Sequence, residues 1–338
     1  MLKPLLNRKQ LLISVIVNTY NSSSTIEKCL RSLLTQKIKP HEIIIVDGGS
    51  TDSTVKIIDD FMKNYSSITM ILIKDPSSTP ASNRNKGIYA SSGNIIAFLD
   101  SDCEAPPEWI EIIYNFFSKN DNNRVVGVCG PYAPPYDSDN FTLFSYHSIG
   151  IILGKISSQF MRQEDKEKFV SSMPAGNSAY LKNVLVSVGG FNPKLRWCED
   201  TDLGIRLRSK GYLLQFIPKM FVFHRWKGWR TIKSLCKSGF QYGFGRIISS
   251  RINIMLFSPF PFVFSILLAF LFLVAVNLPL ILIIIALFYL IFILAISVKY
   301  RIITIKGMLS FPFFILSYVI GSWTGLFKVI FDSLKNKS

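Results

Sequence analysis

Short apolar runs alternate with amphipathic segments along the first part of the chain. The apolar runs cover residues 13–18, 42–46, 68–74 and 94–99. Short continuous runs of this kind are typical of strands that are buried on both faces. Between them, apolar side chains recur at helical spacing over residues 25–36, 53–64 and 81–90. This alternation predicts an α/β fold with a mostly parallel sheet and helices on both of its faces.

Polar residues follow three of the predicted strands. They are Thr19, Tyr20 and Asn21 after the first strand, Asp47 after the second, and Asp100, Ser101 and Asp102 after the fourth. In open parallel sheets, ligands bind beyond the carboxyl ends of the strands. These residues therefore predict a nucleotide pocket at one edge of the sheet.

The pattern beyond residue 130 is less regular. A helix and a mobile loop are expected between residues 137 and 168. We expect a strand over 176–180, a short helix over 181–188, a helix over 199–209 and a last strand region over 217–224. The 199–209 helix begins with acidic residues, where the helix dipole favours them.

A long apolar segment follows. Residues 252–298 contain no Asp, Glu, Lys or Arg. A membrane span needs about 20 apolar residues, so this segment has room for two spans, joined at Asn277-Leu278-Pro279. Residues 307–330 are apolar apart from Lys328 and form a candidate third span, kinked at Pro312. The pattern predicts a multi-pass membrane protein with two or three transmembrane helices.

Positive charge is concentrated before this apolar segment. The net charge is +16, and Lys or Arg occurs eleven times from Arg206 to Arg251, whereas no acidic residue lies between Asp202 and Asp332. Nucleic-acid binding is one explanation of such a bias. However, the basic residues are interleaved with aromatic ones and lead directly into the apolar segment. That pattern is typical of an interfacial segment beside anionic lipid, so we expect a membrane partner and no nucleic acid.

The cysteines and the flanking charges predict the compartment. Five cysteines occur without any Cys-x-x-Cys spacing, which favours a reducing compartment and argues against a zinc site. Lys and Arg flank residues 252–298 on both sides and are absent from the turn within, so the positive-inside rule places the catalytic region in the cytoplasm. The predicted domains are a catalytic domain over 1–225, basic aromatic interfacial helices over 226–251 and a membrane domain over 252–331.

Two acidic clusters carry the predicted chemistry. Asp100-Ser101-Asp102 ends an apolar strand, and Glu199-Asp200 begins a helix. Hard oxygen ligands at a strand end suit Mg²⁺ or Mn²⁺, with phosphate oxygens in the remaining positions. The Glu199-Asp200 pair offers a general base. Together, the two clusters predict transfer of a sugar from a nucleotide diphosphate.

Seven motifs in this order resemble glycosyltransferase family 2, whose members are inverting enzymes with the Rossmann-like GT-A fold. The motifs lie at residues 14–21, 42–52, 84–87, 98–102, 176–180, 189–191 and 199–203. The resemblance covers roughly residues 12–246. It implies a domain that binds a nucleotide sugar, followed here by a C-terminal transmembrane helical anchor.

The resemblance implies a role for each site residue. Thr19, Tyr20 and Asn21 would line the nucleotide pocket, Asp47 would accept a hydrogen bond from the base, and Arg84 would lie near the base. Asp100 would approach the ribose and the metal, Asp102 would ligate the cation, and His224 would lie near the diphosphate or the metal. Asp200 would deprotonate the acceptor hydroxyl, supported by Glu199. The implied cofactor is Mg²⁺ or Mn²⁺, which neutralises the leaving diphosphate.

Each of these residues also has a structural explanation. Asp47 precedes two glycines and suits a turn. Asp100 and Asp102 could be ordinary loop carboxylates, and Glu199 and Asp200 could serve only as first-turn acids of a helix. Arg84 could be a solvated helix charge, and His224, beside Arg225 and Trp226, could be interfacial.

The residues before the predicted spans narrow the function. Processive polysaccharide synthases of this superfamily carry Gln-x-x-Arg-Trp there, whereas residues 241–246 contain no Trp, so the chain resembles non-processive relatives. We predict a membrane-anchored, metal-dependent, inverting glycosyltransferase. It would move one sugar from a nucleotide-diphosphate sugar to a hydroxyl of a lipid-linked, polyprenyl-type acceptor at the cytoplasmic face. The alternatives are direct transfer to polyprenyl phosphate, and a catalytically silent relative that binds nucleotide or acts as a scaffold.

Overall fold

The computed structural model of the protein describes most of the chain outside the 252–298 segment. The described residues are 11–76, 79–143, 145–146, 166–225, 231–250 and 305–335, with isolated positions at 262–263, 265–267, 287 and 289. They fall into two compact units, one within residues 1–135 and 153–225 and the other within 136–152 and 226–338. The predicted domain boundaries stay predictions.

The first unit begins with alternating strands and helices. They are β1 (Ile13–Thr19), α1 (Ile26–Leu34), β2 (Glu42–Asp47), α2 (Thr54–Asn64), β3 (Thr69–Lys74), α3 (Pro80–Ala90) and β4 (Ile95–Asp100). β1, β2 and β4 are almost entirely buried, as their continuous apolar sequences require. The predicted alternation over this part of the chain is confirmed.

The rest of the first unit contains shorter elements. They are β5 (Cys103–Glu104), α4 (Trp109–Lys119), β6 (Val125–Cys129), β7 (Tyr132–Ala133), β8 (Lys168–Val170), β9 (Asn177–Leu181), α5 (Lys182–Ser187), α6 (Glu199–Ser209), β10 (Leu213–Phe216) and β11 (Val222–His224). The predicted strand region over 217–224 is only partly correct. β10 ends before residue 217, a turn follows at residues 218–220, and only the last three residues of the predicted region form a strand, β11.

Eight strands form one sheet in the order β3-β2-β1-β4-β9-β6-β10-β8. β1, β2, β3 and β4 are parallel, and Asn18 of β1 is in register with both Val46 and Asp100. β9 lies antiparallel between β4 and β6. This arrangement brings the carboxyl ends of β1, β2 and β4 to one edge, where the predicted site residues lie.

A second sheet joins three short strands in the order β5-β11-β7. β11 pairs antiparallel with β5, and His224 lies opposite Cys103. β11 also pairs parallel with β7. The small sheet therefore brings a histidine from the end of the catalytic region to the chain that directly follows Asp102.

The described helices of the second unit are α7 (Ile232–Ser250) and α8 (Ile305–Lys335). Their backbones meet at glycines: a Cβ on Gly239 would lie 2.6 Å from the carbonyl oxygen of Phe314, and one on Gly243 2.0 Å from that of Tyr318. Gly321 of α8 contacts the Phe240 backbone in the same way. Small residues that allow such close approach are typical of helix pairs in membranes.

One described helix, over Pro312–Asp332, is long and apolar enough to cross a membrane. It overlaps the predicted third span, and Pro312 lies within α8. The two spans predicted within 252–298 lie outside the described residues, apart from a few isolated positions.

Candidate active site

The loop after β2 is organised by Asp47. Its Oδ2 accepts hydrogen bonds from the backbone N–H groups of Gly49 and Ser50, both at 3.0 Å, and its Oδ1 accepts one from the Ser50 hydroxyl at 2.5 Å. Gly49 has a φ of +88°, which favours glycine at this turn. Asp47 therefore stabilises its own turn, and its predicted contact with a base stays a prediction.

The loop after β1 is tied to the Asp47 turn. The Asn21 N–H donates to the Ser50 hydroxyl, and the Asn21 side-chain oxygen accepts from the Thr51 N–H, each at 2.8 Å. Tyr20, which directly precedes Asn21, is 61% exposed. Beside this loop, the buried Asn18 Oδ1 and Thr19 Oγ1 make no hydrogen bond with any described residue. Unsatisfied buried polar atoms at this sheet edge are what a ligand pocket requires.

Arg84 lies at the centre of the candidate site. Its Nη2 donates to Asp100 Oδ1 at 3.0 Å, and its Nη1 donates to Glu199 Oε1 at 2.9 Å. The side chain is 6% exposed, and its guanidinium lies 5.7 Å from the centre of the Phe191 ring. Burial lowers the pKa of Arg84, but Asp100 and Glu199 raise it overall, so the group is always charged. The alternative of a solvated helix charge is wrong, and a contact with the base stays a prediction.

The second oxygen of Asp100 is held against a glycine. A Cβ on Gly176 would lie 2.0 Å from Asp100 Oδ2 and 2.7 Å from the Tyr132 hydroxyl. Burial, followed by the charge of Asp100, raises the pKa of Tyr132 well above its ordinary value, so the phenol stays protonated. Asp100 Oδ2 is thus packed against Gly176, whereas Oδ1 accepts the hydrogen bond from Arg84.

Glu199 and Asp200 occupy the first turn of α6. The preceding residue, Cys198, has a φ of +59°, a left-handed conformation that is uncommon for a residue with a side chain. Burial raises the pKa of both carboxyl groups, and nearby Arg84 offsets this only in part. The Asp200 carboxylate also accepts hydrogen bonds from the Thr201 N–H and hydroxyl. Two partly buried carboxyls with raised pKa values are suited to proton transfer near neutral pH.

Hydrogen bonds join the later motifs into one unit. Asn85, next to Arg84, bonds to both the carbonyl oxygen and the N–H of Phe191, at 2.7 and 2.8 Å. Arg206 of α6 bonds to Asp202 at 2.8 Å and to the carbonyl oxygens of Val188 and Gly190 at 2.7 and 2.8 Å. The turn at residues 188–191 therefore holds α3 and α6 at the spacing that Arg84 bridges.

Asp102, Cys103 and His224 form a candidate metal-binding cluster. One ligand atom from each lies within 4.8 Å of the others, and Asp102 Oδ1 is 3.3 Å from His224 Nε2. The His224 ring also stacks on Tyr132, with centroids 4.7 Å apart. A carboxylate oxygen and an imidazole nitrogen fit a divalent transition-metal ion. Asp100, also predicted as a ligand, is not part of this cluster.

Sequence reasoning missed four residues of the site. Gly176 lies against Asp100 and beside the Tyr132 hydroxyl, and Arg206 bonds to the 188–191 turn. Cys103 was considered only as one of five scattered cysteines, yet its thiol lies beside Asp102 and His224. The available signals were the adjacency of Cys103 to Asp102 and the place of Gly176 in the 176–180 motif; the contacts themselves join residues distant in sequence. All five cysteines are free thiols in the structure.

Comparison with known proteins identifies relatives. Residues 14–187, just over half of the chain, match the family described as glycosyl transferase family 2. The glycosyltransferase AglE of Haloferax volcanii is 30% identical over 240 residues, which cover 70% of this chain and 73% of AglE. The probable glycosyltransferase YdaM of Bacillus subtilis is 26% identical over 240 residues, covering 68% of this chain and only 55% of YdaM.

A solved structure with the same fold covers nearly the whole chain. It is the mannosyltransferase PcManGT from Pyrobaculum calidifontis in complex with GDP-Man and Mn²⁺. The TM-score is 0.64 at 15% sequence identity, with 94% of this chain and 88% of that chain covered. At this identity the likeness concerns the fold, which is GT-A. Together with the motifs and the matched residues, these findings show that the chain belongs to glycosyl transferase family 2.

Proposed function

We propose that the protein is a membrane-anchored, metal-dependent, inverting enzyme that transfers one sugar to a lipid-linked acceptor at the cytoplasmic face. The main support is the convergence of Asp100, Glu199 and Asp200 around the buried Arg84, beside Asp102 and His224. Asp100, proposed to face the sugar donor, and Glu199 and Asp200, proposed to face the acceptor, thereby lie within one site. We call them the donor-side and acceptor-side carboxylates.

The proposed donor is a nucleotide-diphosphate sugar. Thr19, Tyr20, Asn21 and Asp47 lie at the adjoining carboxyl ends of β1 and β2, where nucleotides bind in this class of sheet. Asp102 and His224 would hold Mg²⁺ or Mn²⁺, and the imidazole favours Mn²⁺ because Mg²⁺ prefers oxygen ligands. When bound, the cation would neutralise charge on the leaving diphosphate. The structural relative PcManGT was solved with Mn²⁺ and GDP-Man.

The proposed base is Asp200. Its carboxylate would take the proton of the acceptor hydroxyl, whose oxygen would form a bond to the anomeric carbon. The bond from that carbon to the diphosphate oxygen would break, the nucleoside diphosphate would leave with the electron pair, and the anomeric configuration would invert. Glu199 would stay bound to Arg84 and hold the first turn of α6 in place.

The proposed membrane anchor includes α8. Its exposed side chains Phe313, Leu316, Ile320, Phe327 and Phe331 recur at helical spacing and are apolar. The opposite face packs on α7 through Gly321 and Gly325. An apolar face that nothing in the described chain covers is suited to lipid. The basic residues of the 206–251 stretch would then lie beside anionic lipid and a lipid-linked acceptor.

The function is tested with the purified full chain in lipid nanodiscs. Labelled UDP-, GDP- and other nucleotide sugars are offered with Mn²⁺ and a membrane lipid extract, and the lipid product is identified by mass. We expect one sugar added to a lipid-linked acceptor. Label in free polyprenyl phosphate would establish direct transfer instead, and nucleotide binding without turnover would indicate a scaffold.

The metal role is tested by calorimetry. We expect Asp102→Ala and chelation of the wild type to weaken nucleotide binding to a similar extent. Equal nucleotide affinity with and without Mn²⁺ or Mg²⁺ would remove the metal role.

Membrane orientation is tested by cysteine labelling in sealed vesicles, where a cysteine replacing Ile303 should react from the cytoplasmic side and one replacing Asn277 from the opposite side.

A further inference from the structure

We propose that Arg84 is a positioning residue that couples the donor-side carboxylate Asp100 to the acceptor-side carboxylate Glu199. The proposal rests on the function proposed above and adds a thermodynamic link between its two halves. One guanidinium contacts two carboxylates from different elements, Asp100 at the end of β4 and Glu199 at the start of α6.

The geometry confines Arg84 to this position. The guanidinium lies over the Phe191 ring, and the neighbouring Asn85 is bonded to the Phe191 backbone on both sides. Arg84 Nε is buried and makes no hydrogen bond with any described residue. All the described hydrogen bonds of this side chain therefore go to Asp100 and Glu199, through its two terminal nitrogens.

The charge balance makes the two contacts interdependent. One buried cation faces Asp100, Glu199 and the adjacent Asp200, so it cannot neutralise all three. Because both hydrogen bonds come from one planar group, a small shift that shortens the bond to one carboxylate lengthens the bond to the other. Anything that engages Asp100 from the donor side therefore changes how firmly Arg84 holds Glu199. The coupling is reciprocal. If donor binding weakens the Arg84–Glu199 interaction by some factor, loss of that interaction must change the affinity for the donor by the same factor.

The residue type supports this role. The planar guanidinium presents several N–H donors in a rigid fork and can bridge two carboxylates at once, whereas a lysine ammonium on a flexible stem acts as a single point charge. Arg84→Lys would preserve the buried charge without the fixed bridge. It therefore separates a coupling role from a general need for positive charge.

The test is a double-mutant cycle read as binding affinity. Calorimetry measures the affinity of UDP and GDP, each with Mn²⁺, for the full chain in nanodiscs. The variants are Glu199→Gln, Arg84→Gln, Arg84→Lys and the two doubles. In the presence of Arg84, Glu199→Gln removes the charge that competes with Asp100 for the guanidinium, so Arg84 should hold Asp100 more firmly and nucleotide binding should weaken. We expect this effect to be about 3- to 30-fold larger than the effect of Glu199→Gln in the Arg84→Gln or Arg84→Lys background, which is within the range found for residues in contact.

The matched control is Glu42→Gln, which removes a buried carboxylate that bonds to Ser14 and Ser92 at the amino end of β2 and has no contact with Arg84 among the described hydrogen bonds. Its effect on nucleotide affinity should be the same with and without Arg84. Variants are compared only where near-UV circular dichroism matches the wild type, and Arg84→Lys provides a second background if Arg84→Gln is unfolded. The inference would be overturned if the wild type binds nucleotide but the effect of Glu199→Gln differs by less than about 2-fold between the wild type and the folded Arg84 variants. A wild type that binds neither nucleotide would instead overturn the proposed function.

Discussion

Glu199 and Asp200 are neighbours in sequence, but their carboxylates have different partners. Glu199 is held by Arg84 at 2.9 Å, whereas Asp200 accepts hydrogen bonds from Thr201 through one oxygen, at 2.6 and 3.2 Å. No ion pair to Asp200 occurs in the part of the chain that the structure describes. A general base needs an oxygen that can reach the substrate proton, so Asp200 is better suited to this role than Glu199.

Asp200→Asn should therefore abolish transfer and leave nucleotide binding nearly intact. Asn has the shape of Asp but cannot take the proton, and loss of a positioned base typically lowers the rate ~10²–10⁴-fold. Turnover is measured with labelled donor, and affinity by calorimetry. A variant that keeps more than about half of the wild-type turnover would show that Asp200 is not the base.

The same substitution should change the pH dependence of stability. Burial raises the pKa of Asp200 above its ordinary value of 3.8. The carboxyl is therefore most compatible with the fold when protonated, and this contribution to stability is lost as the pH rises through the raised pKa. We expect Asp200→Asn to raise the melting temperature relative to wild type at pH 8 and to have less effect at pH 4.5. A larger rise in melting temperature at pH 4.5 than at pH 8 would contradict a raised pKa for Asp200.

At the scale of elements, β9 connects the donor-side acids with the rest of the sheet. Asn177 at its start accepts a hydrogen bond from the Trp109 indole and donates to the carbonyl oxygens of Pro131 and Met220, at 2.9, 3.0 and 2.8 Å. All three bonds are buried. One amide thus holds α4 and the segments leading into β7 and β11, the strands on which Tyr132 and His224 lie.

Asn177→Leu should strongly destabilise the protein. It would leave three buried polar groups unpaired, and each such group costs about 1–3 kcal/mol. Thermal unfolding of the full chain in detergent measures the effect. The control is Asn115→Leu, because Asn115 is exposed on the same helix that carries Trp109. Equal melting temperatures for both variants would show that the Asn177 amide is not structurally important.

Gly176→Ala should impair donor binding more than stability. Its Cβ would overlap Asp100 Oδ2 and force the carboxylate away from the position in which it accepts a hydrogen bond from Arg84. We expect nucleotide affinity in the presence of Mn²⁺ to fall at least several-fold in a protein that still folds. Wild-type affinity in a folded Gly176→Ala variant would mean that the position of Asp100 does not matter to the donor.

The strands of the first half could be predicted from the sequence because their patterns are local. β1 to β4 follow the apolar periodicity, and the carboxyl ends of parallel strands must share an edge. The insertion of β9 between β4 and β6 could not be predicted, since pairing between distant strands leaves no local pattern. The partners of Arg84 were hidden for the same reason: Glu199 lies 115 residues away. α4 was missed although Trp109, Ile110, Ile113 and Phe117 mark a buried helical face.

At the scale of the whole molecule, the apolar face of α8 predicts protection by lipid. Ile320 is 50% exposed within the chain, so a cysteine there should react readily if water covers that face. In intact membranes, we expect Ile320→Cys in a Cys236→Ser background to resist a charged maleimide. Gln241→Cys on the exposed polar side of α7 should react. Rapid labelling of both would show that this face of α8 is not in lipid.

The wide sequence separation of the site residues has a consequence for biosynthesis. Chains fold from the N-terminus as they are made, so β1 to β4 can pair before the second half of the unit exists. Arg84 and Asp100 are then in place, but Glu199, Asp200 and His224 have yet to be synthesised. A nascent chain would therefore have a sheet edge without a complete catalytic site. The candidate site is complete only when β11 has been synthesised, and the basic residues 226–251 and the apolar residues 252–298 follow directly. If the function proposed above is correct, synthesis of the candidate site is therefore completed shortly before that of the proposed membrane anchor.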